Sequence, residues 1–589
     1  MTKLTAEVYY NKTMLIKFII SYYKKAPLKM FIGFLMLIAV DIAQLVTPLI
    51  IQKAIDFIMN PKGDYSYLLH LSILIFALAL AIGFFRFLWR IIIIGMAHFI
   101  EMDFKNNLYK HLLSLSSLFY NQIKTGDIMA HMTNDMKAVK RATSFGIIAG
   151  FDAIFLFLAT LIFMLTLNVK LTLYALLPLP FISGIALFFI KSLFSKFREV
   201  QETFSKVTEK ARETISGIKI IQAFQQEEDE TGNFNRLSKE YVDKNITLIK
   251  LWGTMFPLIF LFAEIGIAII LWVGGQQVIL NELSIGELVA FFSYLGIIVW
   301  PMMAVGMVTN VFQRGNASLK RINTLLEERP EIIDAPGAVY EEIKGDIRLE
   351  NIFFSFNDEQ TVLDDLNIHV KLGQYVGICG KIGSGKSIIA KLILRVIRPQ
   401  KGKIFYDHIE YKKIKIAAVR DSIGYVPQDS FLFSDTIEEN IRFGKPEAEY
   451  KEIVEVCKIA SVHKNIMERR KKYKTIVGER GVTLSGGQKQ RICIARAIIK
   501  KPRILILDDA LSAVDTNTEK EIIKNLARYV KDITTVVISH RISSFIKADN
   551  IYVIDKGKVE SEGTHQELIK KSKVYKNIYQ IQKLEDIEE

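Results

Sequence analysis

Two runs of this chain carry residues suited to handling phosphate. Tyr375-Val376-Gly377-Ile378-Cys379 reads as a short buried strand that leads directly into Gly380-Lys381-Ile382-Gly383-Ser384-Gly385-Lys386-Ser387, which opens a helix ending near Pro399. Glycines let backbone amides approach phosphate oxygens, and a helix N-terminus adds positive potential where those oxygens sit. In this strand-loop-helix setting Gly380, Gly383, Ser384 and Gly385 form a cradle, Lys386 reaches the terminal phosphates and the Ser387 hydroxyl can hold magnesium. The second run, Ile504-Leu505-Ile506-Leu507, is a buried strand that ends in the adjacent carboxylates Asp508 and Asp509. Asp508 is placed to hold the metal, directly or through water. A Gly-rich turn or a strand ending in two acids is unremarkable alone, but the two together form one phosphate-handling pair.

Between them lies Leu484-Ser485-Gly486-Gly487-Gln488, followed by Lys489-Gln490-Arg491. Taken with the phosphate loop, this run resembles the signature of ATP-binding cassette proteins. The resemblance implies ATP and Mg2+ as cofactors. It also implies that Ser485, Gly486, Gly487 and Gln488 serve the nucleotide bound by a second subunit, so that two cassettes close head to tail around two ATP molecules. By the same resemblance Gln428 is the lid glutamine, touching both metal and water, and His540, after the strand Thr534 to Ser539, is the switch histidine. Ser512-Ala513-Val514-Asp515 matches the loop that crosses the dimer interface, and Gly478-Glu479-Arg480 the segment that senses the membrane domain. Phe356 stands where the family often has a tyrosine stacked on adenine; it keeps the aromatic face and lacks the hydroxyl.

One position departs from the family. After the magnesium aspartate a glutamate normally polarises the attacking water, and here the residue is Asp509. A carboxylate drawn back by one C–C bond falls short of that water, and errors of roughly 1 Å can cost on the order of a hundredfold in rate. The expectation is a site that binds nucleotide and turns it over slowly. This resembles the degenerate half of heterodimeric bacterial multidrug exporters and implies a non-identical partner chain with glutamate at the position of Asp509.

Elements before about residue 310 carry the apolar excess of this 589-residue chain, whose mean hydropathy is +0.24. Stretches centred on 28–50, 67–88, 144–167, 171–190, 254–274 and 286–308 each approach the ~20 residues that cross a bilayer. Six membrane helices are expected, and the first is too long for a removable leader. Lys3, Lys12, Lys17, Lys24, Lys25 and Lys29 precede the first helix, placing the N-terminus in the cytoplasm. The basic loops after the second and fourth helices, through Lys105 to Arg141 and Lys196 to Arg212, sit on the same side. Those loops and a Lys-rich soluble half account for the net charge of +14, so no nucleic-acid partner is expected. Cys379, Cys457 and Cys493 lack metal-ligand spacing and read as small packed hydrophobes.

The expected fold is an α-helical six-span membrane domain followed by an α/β P-loop nucleotide-binding domain, divided as 1–320, a linker 321–345, and 346–589. The membrane half resembles the exporters of the same family through Gly126-Asp127 with Asn134-Asp135, Glu213 with Ser216-Gly217-Ile218, and Gly286-Glu287-Leu288 before Pro301. That implies cytoplasmic helix tips that press on the cassettes, near Met129 to Asp135 and Ile218 to Phe224. It also implies export of hydrophobic or amphiphilic drugs or lipids across the plasma membrane, in contact with membrane lipid. A homodimeric flippase and a siderophore-type importer on the same fold share these motifs. Asp41, Asp152 and Glu264 fall within apolar helices, where an ionisable group must face water or a partner. They line a cavity for hydrophobic cations, pair with Arg86 or Arg90, or sit near the membrane interface.

Overall fold

The computed structural model describes residues 14–60, 65–356, 361–478, 481–529 and 532–588, without the side chains of 186, 187, 190, 191 and 584–588. Lys3, Lys12, Glu479 and Arg480 lie outside the described residues. The chain forms two compact units, one from the residues up to Leu113 with Thr125–Glu328, the other from Ser114–Lys124 with Arg329 onward.

The first unit is helical because a backbone inside lipid must satisfy its own hydrogen bonds. Pro27–Met59, Ser66–Leu112, Thr125–Leu167, Glu227–Ile279 and Ile285–Glu327 are long and apolar enough to cross a membrane. They carry five of the six expected runs. The fourth run is shared between a short helix, Val169–Leu176, and the 38-residue helix Leu179–Ser216, which restarts beside Pro178 and Pro180 where proline withholds an amide. In the helix Ser66–Trp89 Leu71 alone is buried, while Phe76, Leu80, Phe84 and Phe87 point outward, as contact with lipid requires.

Polar residues fix the ends of these helices. Asp56 accepts hydrogen bonds from the Ser284 hydroxyl (3.0 Å) and the Gly286 amide (2.9 Å), tying the first span to the start of the last. A Cβ at Gly286 would stand 2.3 Å from the Gln52 carbonyl, so only glycine fits this crossing. Asp135 lies beside Arg321 and accepts from Ser318 (2.8 Å) and His131 (2.7 Å) within the same unit.

That cluster corrects the position of the first helix tip. Residues Met129 to Asp135 belong to the membrane unit, and the part of this loop that joins the soluble unit is Ser114–Lys124, with the helix Ser117–Gln122 and Leu118 packed on its core. The Asn134-Asp135 motif serves internal bonding instead. The segment Ile218–Ala223 is a short helix with no buried residue, and Ile220 and Phe224 are exposed.

The second unit contains two sheets. In one, β1 (Ile347–Ser355), β2 (Thr361–Val370), β4 (Lys401–Tyr406) and β5 (Ile409–Glu410) pair antiparallel in the order β2-β1-β4-β5. The other runs β10-β9-β3-β8-β7-β6, from β3 (Tyr375–Gly380), β6 (Ile423–Val426), β7 (Ile504–Asp508), β8 (Thr534–Ile538), β9 (Asn550–Asp555) and β10 (Lys558–Gly563). All but β10 are parallel, so β3, β7 and β8 end on the same edge, as in α/β folds whose ligands sit beyond the strand C-termini.

Strand alternation distributes side chains between two cores. Ile504 and Ile506 enter one cluster and Leu505 and Leu507 the other, as a period of two demands. All three cysteines are free and buried in the second of these clusters, and burial pushes the Cys379 and Cys457 thiols up to about 12.

Candidate functional site

A cleft of about 340 Å3 opens beyond the ends of β3, β7 and β8, lined by Phe356, Gly383, Gly385, Lys386, Ser387, Gln428, Asp508, Asp509, Ser539 and His540 among others. The register explains the convergence. Ile378 of β3 and Asp508 of β7 both pair with Ile538 of β8, so the residues that follow each strand emerge side by side.

The loop after β3 turns tightly because its glycines allow it. Gly385 sits at φ +93°, and an added Cβ there would meet Leu363 at 2.8 Å; at Gly380, φ +155°, it would meet the Ile554 carbonyl at 2.2 Å. Lys386 opens the following helix, and its ammonium donates to the carbonyls of Gly380 and Lys381 at 2.8 Å each. Burial lowers the Lys386 pKa, against the nearby charges of Asp509 and Asp508. Ser384, behind the cleft, has a buried hydroxyl without a hydrogen-bond partner among the described residues.

Ser387 Oγ donates to Asp508 Oδ1 at 2.9 Å, and the Tyr425 hydroxyl lies 3.4 Å from Oδ2. Burial raises the Asp508 pKa, and the Ser387 hydrogen bond opposes it. A serine hydroxyl, a carboxylate and the Gln428 amide are hard oxygen donors on one wall, the set magnesium prefers when phosphates and waters supply the rest.

Asp509 occupies the left-handed region at φ +51°, where aspartate is tolerated better than glutamate or a branched residue. Its amide donates to the Ile538 carbonyl at 2.7 Å and its carbonyl accepts from Ser512 Oγ at 3.0 Å, so the turn is pinned from both sides. The carboxylate meets His540 Nδ1 at 2.9 Å. Burial opposes its ionisation, but the hydrogen bond and charge of His540 outweigh burial and lower its pKa. The same hydrogen bond raises that of His540.

The residues of the expected signature do not reach this cleft. Ser485 caps the helix Gly486–Ile498, accepting from the Gln488 amide at 3.4 Å, and Ser485 and Gly486 are exposed. Gly487 packs against the Ala513 carbonyl, where a Cβ would stand at 2.7 Å. Gln488 accepts from Arg469 at 2.9 Å.

Two positioning residues were not legible in the sequence. Gln490, 4% exposed, donates to Ser512 Oγ at 2.9 Å and accepts from the Ala513 amide at 3.0 Å, coupling the signature helix to the loop after Asp509. Gln582, on the helix Lys573–Glu588, donates to the His540 carbonyl at 2.5 Å and accepts from the Ile542 amide at 2.9 Å. Gln490 lies two residues past the signature, so its neighbourhood is a signal; Gln582 has none.

Both units match known protein families. Residues 30–302 match the ABC transporter transmembrane region and residues 363–512 match the ABC transporter family. The chain is 36% identical over 96% of its length to a Bacillus subtilis protein described as "Probable multidrug resistance ABC transporter ATP-binding/permease protein YheI", covering 97% of that protein. It is 33% identical to the Escherichia coli "Multidrug resistance-like ATP-binding protein MdlA", with 96% of each chain covered. A solved bacterial Atm1-family ABC exporter with ATP bound superposes with a TM-score of 0.78 at 25% identity, over 94% of this chain and 98% of that one.

Proposed function

This chain belongs to the ABC transporter family, and we propose that it is one half of a heterodimeric exporter of hydrophobic or amphiphilic compounds whose own ATP site is degenerate. The observation that carries the reading is Asp509, a carboxylate one methylene short at the position of the catalytic base, on a turn with positive φ. Hydrolysis would then run at the site built on the partner's phosphate loop, completed by Ser485, Gly486, Gly487 and Gln488 of this chain.

The residues of the cleft divide the work. Lys386 leaves the carbonyls of Gly380 and Lys381 for the terminal phosphates, and the amides of Gly383 and Gly385 close on the others. Phe356, at the cleft edge, offers its ring to the adenine. Ser387, Asp508 and Gln428 would hold Mg2+, which when bound neutralises phosphate charge. His540 keeps Asp509 ionised and aimed inward, yet its carboxylate remains short of the attacking water. Nucleotide therefore stays while the partner-based site turns over, and closing and reopening of the cassettes shifts the membrane domain between its states. The basic N-terminal and loop residues support a cytoplasmic N-terminus and nucleotide unit in the plasma membrane.

A homodimer is favoured by one observation, the Asp509–His540 hydrogen bond at 2.9 Å, which leaves the pair able to act as a base. The native mass of the complex drawn from its host membranes through a tag on this chain separates the two. Two unlike chains are expected; twice 67.3 kDa would overturn the heterodimer and make Asp509 the working base.

A further inference from the structure

Within the membrane unit a second cavity, of about 410 Å3, lies among Asp41, Arg86, Trp89, Arg90, Asp152 and Trp300. Its volume is in the range of roughly 300–1,000 Å3 found for small-molecule sites. Glu264 is not part of its lining.

The charges in it are present in both signs and are not paired off. Asp41 is 1% exposed, and its Oδ2 has no hydrogen-bond partner among the described residues. It lies beside Asp152, whose Oδ2 accepts from Trp300 Nε1 at 3.0 Å, and the two carboxylates repel each other unless a proton is shared between them. The Trp89 indole N–H is also buried without a partner among the described residues. Neither Arg86 nor Arg90 comes within 4.0 Å of a carboxylate among the described residues. Arg90 stands over the Trp89 ring at 5.6 Å and begins a π-helical turn, Arg90–Ile94. A set of acids, guanidiniums and an indole donor that share a cavity without satisfying one another is costly in a membrane helix unless a guest supplies the missing partners.

A cation fits between Asp41 and Asp152, where it relieves their repulsion and gives Asp41 its partner. An anion fits on Arg86 and Arg90, whose planar donors suit phosphate or carboxylate, within reach of the Trp89 N–H. Leu37 and Ile297 supply an apolar wall. We propose that this cavity binds a zwitterionic amphiphile, its cationic group against Asp41 and Asp152, its anionic group on Arg86 and Arg90, and its apolar part along Leu37 and Ile297. The proposal rests on the export reading and narrows its substrate class. Its binding test needs no ATP, whereas the export reading fails only if ATP-driven uptake into inverted vesicles is absent.

The test uses the intact complex, purified through this chain and held in nanodiscs, with three probes that share a dodecyl chain: dodecyltrimethylammonium, dodecyl phosphate and dodecylphosphocholine. Trp89 and Trp300 report binding by fluorescence, with Trp252 and Trp272 changed to Phe and empty nanodiscs as the blank. Dodecylphosphocholine should bind roughly tenfold tighter than either single-charge probe. Asp41→Asn should remove that advantage and leave dodecyl phosphate unaffected, and Arg86→Gln should do the reverse with the cation. Equal affinity for all three probes in the unmodified protein overturns the proposal without recourse to any variant, as does a zwitterion indifferent to both substitutions. Lysophosphatidylethanolamine against the zwitterionic quinolone norfloxacin then distinguishes a lipid headgroup from a free drug; tighter binding of either supports the site, and binding of neither rejects it.

Discussion

In the nucleotide cleft each acid has a donor at 2.9 Å, Ser387 on Asp508 and His540 on Asp509, whereas in the membrane cavity Asp41 Oδ2 and the Trp89 N–H have no partner among the described residues. The cleft sits at the edge of a sheet, and β3, β7 and β8 carry its groups to within bonding distance of one another before any ligand arrives. The cavity sits among helices with no shared backbone ladder, so its polar groups are gathered by packing alone. Preorganisation therefore differs: the cleft exchanges internal hydrogen bonds for ligand ones, and the cavity holds demand that only a guest meets.

The largest expected effect falls on the cleft. Lys386→Ala should weaken nucleotide binding at this chain's own site by roughly a hundredfold or more, since it removes a charge-assisted donor to phosphate. Photo-crosslinking of azido-ATP to this chain reads it directly, and undiminished labelling would mean that the loop is not a phosphate loop.

Asp509→Glu tests whether the cleft is limited by reach. Hydrolysis at this site should rise by about ten- to a hundredfold in single-turnover assays with the partner's phosphate-loop lysine disabled. A fall would show that aspartate is already the tuned base, or that glutamate is not accommodated at φ +51°.

Gln582→Ala sharpens the contrast more gently. Loss of its two hydrogen bonds to the His540 segment should cost about 1–2 kcal/mol of stability in the nucleotide unit, seen as a lowered unfolding midpoint. An unchanged midpoint would show that the C-terminal helix does not support the site.

The smallest effect is the pH dependence of the Asp509–His540 pair. The raised His540 pKa gives stability that is complete below the ordinary histidine value of about 6.5 and fades as pH rises through the raised one. The lowered Asp509 pKa gives stability that is complete above the ordinary carboxylate value of about 4 and is lost as pH falls through the lowered one. The window therefore lies between about pH 4 and 6.5, and its depth is under ~1 kcal/mol because the histidine is half exposed. His540→Asn should destabilise most between about pH 4 and 6.5 and least once the pH has risen past the raised His540 pKa; a flat difference would show that the pair carries no charge.

The cleft was largely legible in the sequence because its groups are attached to short motifs of fixed local geometry. Gly380 to Ser387 and Asp508 each follow an apolar strand, and the sheet places them with no further information. The position of the first helix tip was not legible. Asn134-Asp135 is a motif with a local look, but Asp135 bonds to Ser318 and Arg321, over 180 positions away, and the tip lies at Ser114–Lys124 instead. Hydropathy makes the fourth membrane run a single helix, and its division beside Pro178 and Pro180 follows from local chemistry that hydropathy alone conceals.

The sequence by itself determined what depends on neighbours along the chain: apolar runs of membrane length, strands of period two, a glycine loop with its lysine and serine, and a carboxylate one carbon short. Only the tertiary structure decided which distant side chains meet. Gln582 clamps a backbone 42 positions away, and Asp41, Arg86, Asp152 and Trp300 gather around one cavity from separate helices. Such meetings depend on helix rotation and packing, which carry no one-dimensional period, whereas strand ends and helix starts are set by the residues that form them.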